Sequence, residues 1–309
     1  MTMDPEPFRP TEMTAGRILP DEFVRALLLE RSPEHANLPF GRRYTDMEEH
    51  FSVRLGDELI IELPRQRRLP SWDPVAMDHL HAAAQDWDFR ARLPIVICEP
   101  ALGYPHRFEI ARWFDASTAI RSPLRTEAAR DLGRALAQVH ERPTGGAPLH
   151  EATGGSLITR SGQTYERLAQ SSTLRSPEGA GVIPERIRRA WDDAVAVPPA
   201  LERTWITGTL DPRAVMAKDG EFAGLVYWRE HSVGDPINEL GIATLLFGPE
   251  GVDLLLDGYG HDGAELRVQM KAIATKRALL YIHSDNPAIA RLGWTRLQQM
   301  GMLTDPTQE

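Results

Sequence analysis

Apolar residues along this chain recur first at helical spacing, then in alternation, then again at helical spacing. Between Asp21 and Arg31, Phe23, Val24, Leu27 and Leu28 predict a helix, with Asp21 as its N-cap. Alternation follows in Phe51, Val53 and Leu55. A Gly56-Asp57 turn and Leu59-Ile-Ile-Glu-Leu63 complete a β-hairpin that Pro64 ends. A short helix over 74–86, a strand over 95–98 and a strand from Phe108 to Trp113 fill out a small mixed region.

After residue 114 the helical period dominates. Ser122-Pro123 reads as a helix start, and Leu124, Ala128, Leu132, Ala135, Leu136 and Val139 form one apolar stripe. Pro143 and Gly145-Gly146 stop it, and residues 143–160 read as loop. Helices are predicted near 162–170 and 184–196. A second hairpin joins Ala214–Ala217 to Phe222–Trp228 through Lys218-Asp219-Gly220-Glu221. Asp235-Pro236 opens a helix carrying Ile237, Leu240, Leu245 and Leu246, and two more fill 264–283 and 287–300. The pattern predicts an α+β protein in two parts: residues 1–113, mainly β-sheet with helices, and 114–309, mainly helical.

Composition narrows the function classes. The 309 residues hold 42% apolar and 26% charged residues, as in an ordinary globular protein with a sizeable core. A net charge of −9 argues against nucleic acid and against anionic membranes as general partners. The single cysteine, Cys98, lies in the apolar run Ile95-Val-Ile-Cys98 and is expected to be an inert buried thiol. No run approaches the ~18 apolar residues of a membrane-spanning helix, and the first residues lack the apolar core of a signal peptide. The expectation is a cytoplasmic protein.

Chemistry concentrates at Trp205-Ile-Thr-Gly-Thr-Leu-Asp-Pro-Arg-Ala214. This stretch resembles the catalytic loop of the aminoglycoside and macrolide phosphotransferases, His-Gly-Asp-Leu-His-Pro-x-Asn, through Gly208, Leu210 and Pro212. Three further stretches extend the resemblance in order. Phe108-Glu-Ile-Ala-Arg-Trp113 is similar to the strand entering the hinge between lobes. Gly220 to Trp228 with Gly234-Asp-Pro-Ile-Asn-Glu-Leu240 is similar to the metal-binding strand and the helix after it. Asp285-Asn-Pro287 is similar to a segment near the C-terminus. The resemblance implies a bilobal protein-kinase-like fold.

The residues that carry the family's chemistry are replaced. Phosphoryl transfer needs a cation on the phosphates, a carboxylate on the attacking hydroxyl and oxygen ligands for magnesium. The resemblance places these roles at Glu62, at Thr209, and at Ala214 with Tyr227; the loop's first His falls on Thr207. A carboxylate at 62 facing a triphosphate would be repelled by roughly 4 kcal/mol at ~4 Å and an effective dielectric near 20. The turn Gly41 to His50, with Glu48 and Glu49, adds negative charge where the family covers its nucleotide. Asp78 is the candidate helix partner of the lost cation.

Two residues offer a rescue: Asp211 as a displaced base and Glu230 as a displaced metal ligand. Their structural roles would be a turn before Pro212 and a solvated side chain. Asp235 has a sufficient role as a helix cap, His140 as a cation at a helix C-terminus, and Trp205 and Trp228 as packing for the hairpin. His79 and His81, two apart, make a poor metal pair. Backbone groups of Ile110, Ala111 and Arg112 would meet the base if a nucleotide binds. The leading reading is a catalytically deficient homologue, a small-molecule pseudokinase that binds a protein partner or small ligand and uses no cofactor. The alternative is an active phosphotransferase with relocated residues, using ATP or GTP with magnesium on an aminoglycoside, a macrolide or another hydroxylated metabolite.

Overall fold

The computed structural model of this protein describes residues 19–44, 50–65, 72–143, 145–208 and 210–305. They fall into two compact units. One comprises the described residues of Met1–Trp72 with Ala91–Asp115, the other Asp73–Arg90 with the described residues of Ala116–Glu309.

In the first unit a helix, α1 (Asp21–Arg31), packs Val24, Leu27 and Leu28 into the same core as Phe51, Leu55, Ile61, Leu63 and Phe108. The sheet contains β1 (Phe40–Tyr44), β2 (His50–Leu55), β3 (Leu59–Pro64), β4 (Pro94–Cys98) and β5 (Phe108–Arg112). Their spatial order is β1-β2-β3-β5-β4, antiparallel throughout. The β2–β3 hairpin pairs Leu55 with Leu59 across its turn. β1 escaped the sequence pattern because it is an edge strand: Gly41 and Arg42 are exposed, so no apolar alternation marks it. Helix α1 starts as expected, but Pro20 holds the cap position and Asp21 instead pairs with Arg43. Cys98 is buried in β4, and burial pushes its thiol up to about 11.

The second unit begins with α2 (Pro74–Ala83), where the Asp73 side chain accepts a hydrogen bond from the Ala76 N–H at 3.1 Å. Then follow β6 (Ser117–Thr118), α3 (Ala128–Val139), a 3-10 turn (Leu157–Arg160), α4 (Ser161–Ser171) and α5 (Pro184–Ala196). Helix α3 begins later than Ser122-Pro123 suggests. The Ser122 N–H bonds to the Thr118 carbonyl and the Arg125 N–H to the Gly220 carbonyl, which ties this stretch into turns.

Beyond α5 come β7 (Thr204–Ile206), β8 (Val215–Lys218), β9 (Glu221–Leu225) and β10 (Ser232–Gly234). The β8–β9 turn holds Asp219 and Gly220 at φ 55° and 83°, the conformation that the Asp-Gly pair favours. Strand β9 stops at Leu225, short of Trp228, because Tyr227 is left-handed at φ 67°. β7 pairs with β10, a three-residue match too short to show as a pattern. The chain closes with α6 (Ile237–Phe247), α7 (Val252–Tyr259), α8 (Ala264–Tyr281) and α9 (Pro287–Gln299). Helix α8 runs against α5, α6 and α9. Among the described residues no helix is long and apolar enough to cross a membrane.

Candidate functional site

The loop between β7 and β8 is held by its backbone. Gly208 sits at φ 84°, and a Cβ there would lie 2.1 Å from the Glu230 carbonyl oxygen, so the close approach requires glycine. Glu239, in the first turn of α6, then gathers the loop. Its carboxylate accepts from the Thr207 N–H at 3.2 Å, the Gly208 N–H at 2.9 Å and the Thr207 hydroxyl. Its fourth bond comes from His140 Nε2 at 3.0 Å, while the Tyr259 hydroxyl lies 3.0 Å from His140 Nδ1. Burial alone pushes the Glu239 carboxyl up, but the bonds from His140 and Thr207 more than reverse this and hold it below its ordinary value. Thr207 therefore helps hold the loop's conformation, and His140 meets a buried carboxylate where a helix dipole alone was expected.

A ring stack supports the same loop. His231 Nδ1 lies 2.7 Å from the Ile206 carbonyl oxygen, so this nitrogen carries the proton and donates. His231 Nε2 is left to accept from His79 Nδ1 at 3.0 Å, and His79 Nε2 lies 3.5 Å from Glu141. Trp205 stacks on His79 at 4.0 Å and on His231 at 4.9 Å. Burial, then the neighbouring His79, push His231 down to about 4. His79 thus pairs with a histidine from the far side of the loop, while His81 is exposed. Trp228 packs on Trp87, with centroids 5.1 Å apart.

The positions named for chemistry offer little to a metal or a base. Thr209 lies outside the described residues, as do Glu48 and Glu49 of the acidic turn; as threonine, residue 209 brings no carboxylate. Ala214 is buried, and Tyr227 is half-buried in its left-handed conformation. Asp211 is buried and fully engaged: it accepts from Arg213 N at 3.0 Å, Arg213 Nε at 2.7 Å and the Tyr281 hydroxyl at 3.1 Å. Burial pushes its carboxyl up, yet the Arg213 bonds bring it below the ordinary value. Glu230 lies 3.5 Å from His150 Nε2. Asp235 accepts from Arg160 at 3.0 Å and from the Ile237 N–H at 3.1 Å; Pro236 holds the cap position of α6, and Asp235, one residue earlier, satisfies the first helical N–H while anchoring an arginine. Burial raises the Asp235 carboxyl despite that arginine. Among the described residues no three His, Cys, Asp or Glu side chains converge as a metal site would require.

In the first unit Glu62 is buried and pairs with the equally buried Arg92. The expectation was of a carboxylate facing a triphosphate; here β3 is buried on both faces, so a charge there needs an internal partner, and Arg92 supplies it. Ile110 and Ala111, expected to meet a nucleotide base through their backbone, lie within the same sheet. Both lie in central β5, paired to β3 on one side and β4 on the other, which engages their backbone groups in the sheet. Arg112 pairs with Leu59. Asp78 is exposed on α2.

Glu239, His231, Arg92 and Arg160 were not singled out by sequence. Glu239 alone had a readable signal, since it follows Asp235-Pro236 by one helical turn and so faces the same way. The others acquire their partners only through long-range folding.

The profile of the phosphotransferase enzyme family matches residues 53–273. The GDP complex of wild-type aminoglycoside 2'-phosphotransferase-IIIa superposes with TM-score 0.64 at 10% identity, covering 91% of this chain and 98% of that one. Macrolide 2'-phosphotransferase MphH from Brachybacterium faecium, as apoenzyme, gives TM-score 0.55 at 16% identity, covering 91% and 96%. A choline/ethanolamine kinase family protein from Mesorhizobium loti gives 0.58 at 16%, covering 90% and 94%. No curated protein matches.

Proposed function

We infer, from the premise that the chain belongs to the phosphotransferase enzyme family, that it acts by binding a ligand or partner without transferring phosphate. One contrast supports this reading. Glu239 ties down the loop through two backbone N–H groups and the Thr207 hydroxyl, which supports a retained scaffold for aiming a catalytic group. Thr209 carries no carboxylate, and the candidate replacement, Asp211, is already bonded to Arg213 and Tyr281. In-line transfer depends on placement of a base and metal within fractions of an ångström, and an engaged buried carboxylate cannot take either role without breaking those bonds. The cation expected on β3 is likewise replaced by a carboxylate, itself neutralised by Arg92. A metabolic role as an active enzyme on an aminoglycoside, a macrolide or another hydroxylated metabolite is the alternative.

The test is nucleoside diphosphate release from ATP and from GTP, with magnesium and a panel of hydroxylated metabolites including kanamycin. The expected rate equals that of nucleotide without protein. Turnover that disappears in Asp211→Ala or Glu230→Ala would establish the active alternative.

A further inference from the structure

The second unit contains a cavity of about 470 Å³ between the 3-10 turn, α4 and α8, and its charge is opposite to that of the whole chain. Arg160, Arg167, Lys276 and Arg277 line it, with Glu166 as the acid among its lining residues. The full sequence carries −9, so four cations on one cavity are a local reversal of sign. Position explains the clustering. Arg160 and Arg167 are seven residues apart, two helical turns, so they share a face; Lys276 and Arg277 follow one another on α8.

These cations are poorly neutralised. Arg160 is buried and anchored by Asp235 and Asn238, though its Nε has no hydrogen-bond partner among the described residues. Arg167, Lys276 and Arg277 form no ion pair with a carboxylate of the described residues. Lys276 extends over the Trp191 ring at 5.5 Å and Arg277 over Tyr281 at 6.0 Å. Burial, then the charges of Arg160, Arg277 and Arg167, push the Lys276 ammonium down to about 8. Four cations against Glu166 and the Asp235 paired to Arg160 leave the cavity net positive, and an anion entering it relieves the remaining repulsion. The cavity volume lies in the ordinary range for small ligands, and guanidinium forks match phosphate and carboxylate oxygens.

We propose that this cavity binds a small multivalent oxyanion, a metabolite carrying a phosphate ester or several carboxylates, and that Arg167, Lys276 and Arg277 hold it. The inference rests on the binding function for its occupant, but it fails separately: diphosphate release tests transfer, whereas anion titration tests this cavity. Polycationic aminoglycosides are the wrong sign for it.

Calorimetric titration of the full chain decides the matter, with glucose 6-phosphate, citrate, glucose and kanamycin as separate probes at low salt. Glucose 6-phosphate or citrate is expected to bind with a sub-millimolar constant, and the stronger of the two identifies phosphate ester or carboxylate as the source. Glucose and kanamycin are expected to show no binding. Lys276→Met and Arg167→Gln, each confirmed folded by its thermal transition, should weaken the anion about tenfold. Lys276 shares the cavity lining with Arg160, Arg167 and Glu166, adjoins Arg277 on its own helix and lies over Trp191 of α5. Binding should therefore also weaken between pH 7 and pH 9 as Lys276 loses its proton. Failure of both anions to bind, affinity unchanged in both variants, or glucose or kanamycin binding as tightly as the anions would overturn the proposal.

Discussion

Glu62 sits on the buried strand β3 with Arg92 as its counter-charge. Its identity was legible as the loss of a phosphate-binding cation, but its environment was not, because Arg92 lies thirty residues on and reaches it only through the sheet. Removing one partner of a buried pair costs about 3–5 kcal/mol. Glu62→Lys, the obvious restoration, would therefore set two buried cations together. Urea unfolding should show it destabilised by at least that amount, and Glu62→Lys with Arg92→Glu should recover much of the loss. Equal stability of the two variants would mean that the pair is not coupled. Gly208 makes a second prediction. Alanine there meets the Glu230 carbonyl and a left-handed φ together, so Gly208→Ala should cost roughly 2–4 kcal/mol in the same measurement.

The elements most easily read in advance were those with strong local signals. Asn286-Pro287 starts α9 with the Asn286 side chain accepting from the Ala288 and Ile289 N–H groups, and Asp219-Gly220 turns β8 into β9. Strand β1, the β7–β10 pair and helix α7 were missed. The first lies at an exposed edge, and the pair is only three residues long, so neither leaves a periodic trace. The loop at 205–214 was legible by motif, but its supports, Glu239 and the His79–His231 pair, come from α6, α2 and the stretch before β10. That support has a pH signature. His231 has a folded value of about 4 against an ordinary 6.5, so across this window only the unfolded chain takes up the proton and stability falls as pH falls. At ~1.4 kcal/mol for each pH unit of displacement, the loss approaches about 3 kcal/mol by pH 4. His231→Asn should flatten the decline in melting temperature between pH 6.5 and pH 4.5; an unchanged slope would contradict a neutral buried His231. Glu239 adds a later loss, because its depressed carboxyl stabilises the fold above its ordinary 4.5 and ceases to as pH falls further.

Across the whole molecule, sequence order and spacing carried the fold family, since the hairpins, the loop frame and the helices follow one another as in the phosphotransferases. Charge distribution was not legible: a chain of net −9 gives no hint that four cations converge on one cavity. Retained architecture with absent chemistry separates nucleotide binding from turnover, and turnover is seen only with the right acceptor. Nucleotide binding needs no acceptor. Magnesium acts in transfer by bridging phosphates to carboxylate and amide oxygens, and Ala214 and Tyr227 supply neither. The most direct measurement is calorimetric titration of ATP and GTP with and without magnesium. Magnesium is expected to add no affinity for either nucleotide. A magnesium-dependent gain of tenfold or more, lost on Glu230→Gln or Asp211→Asn, would contradict it.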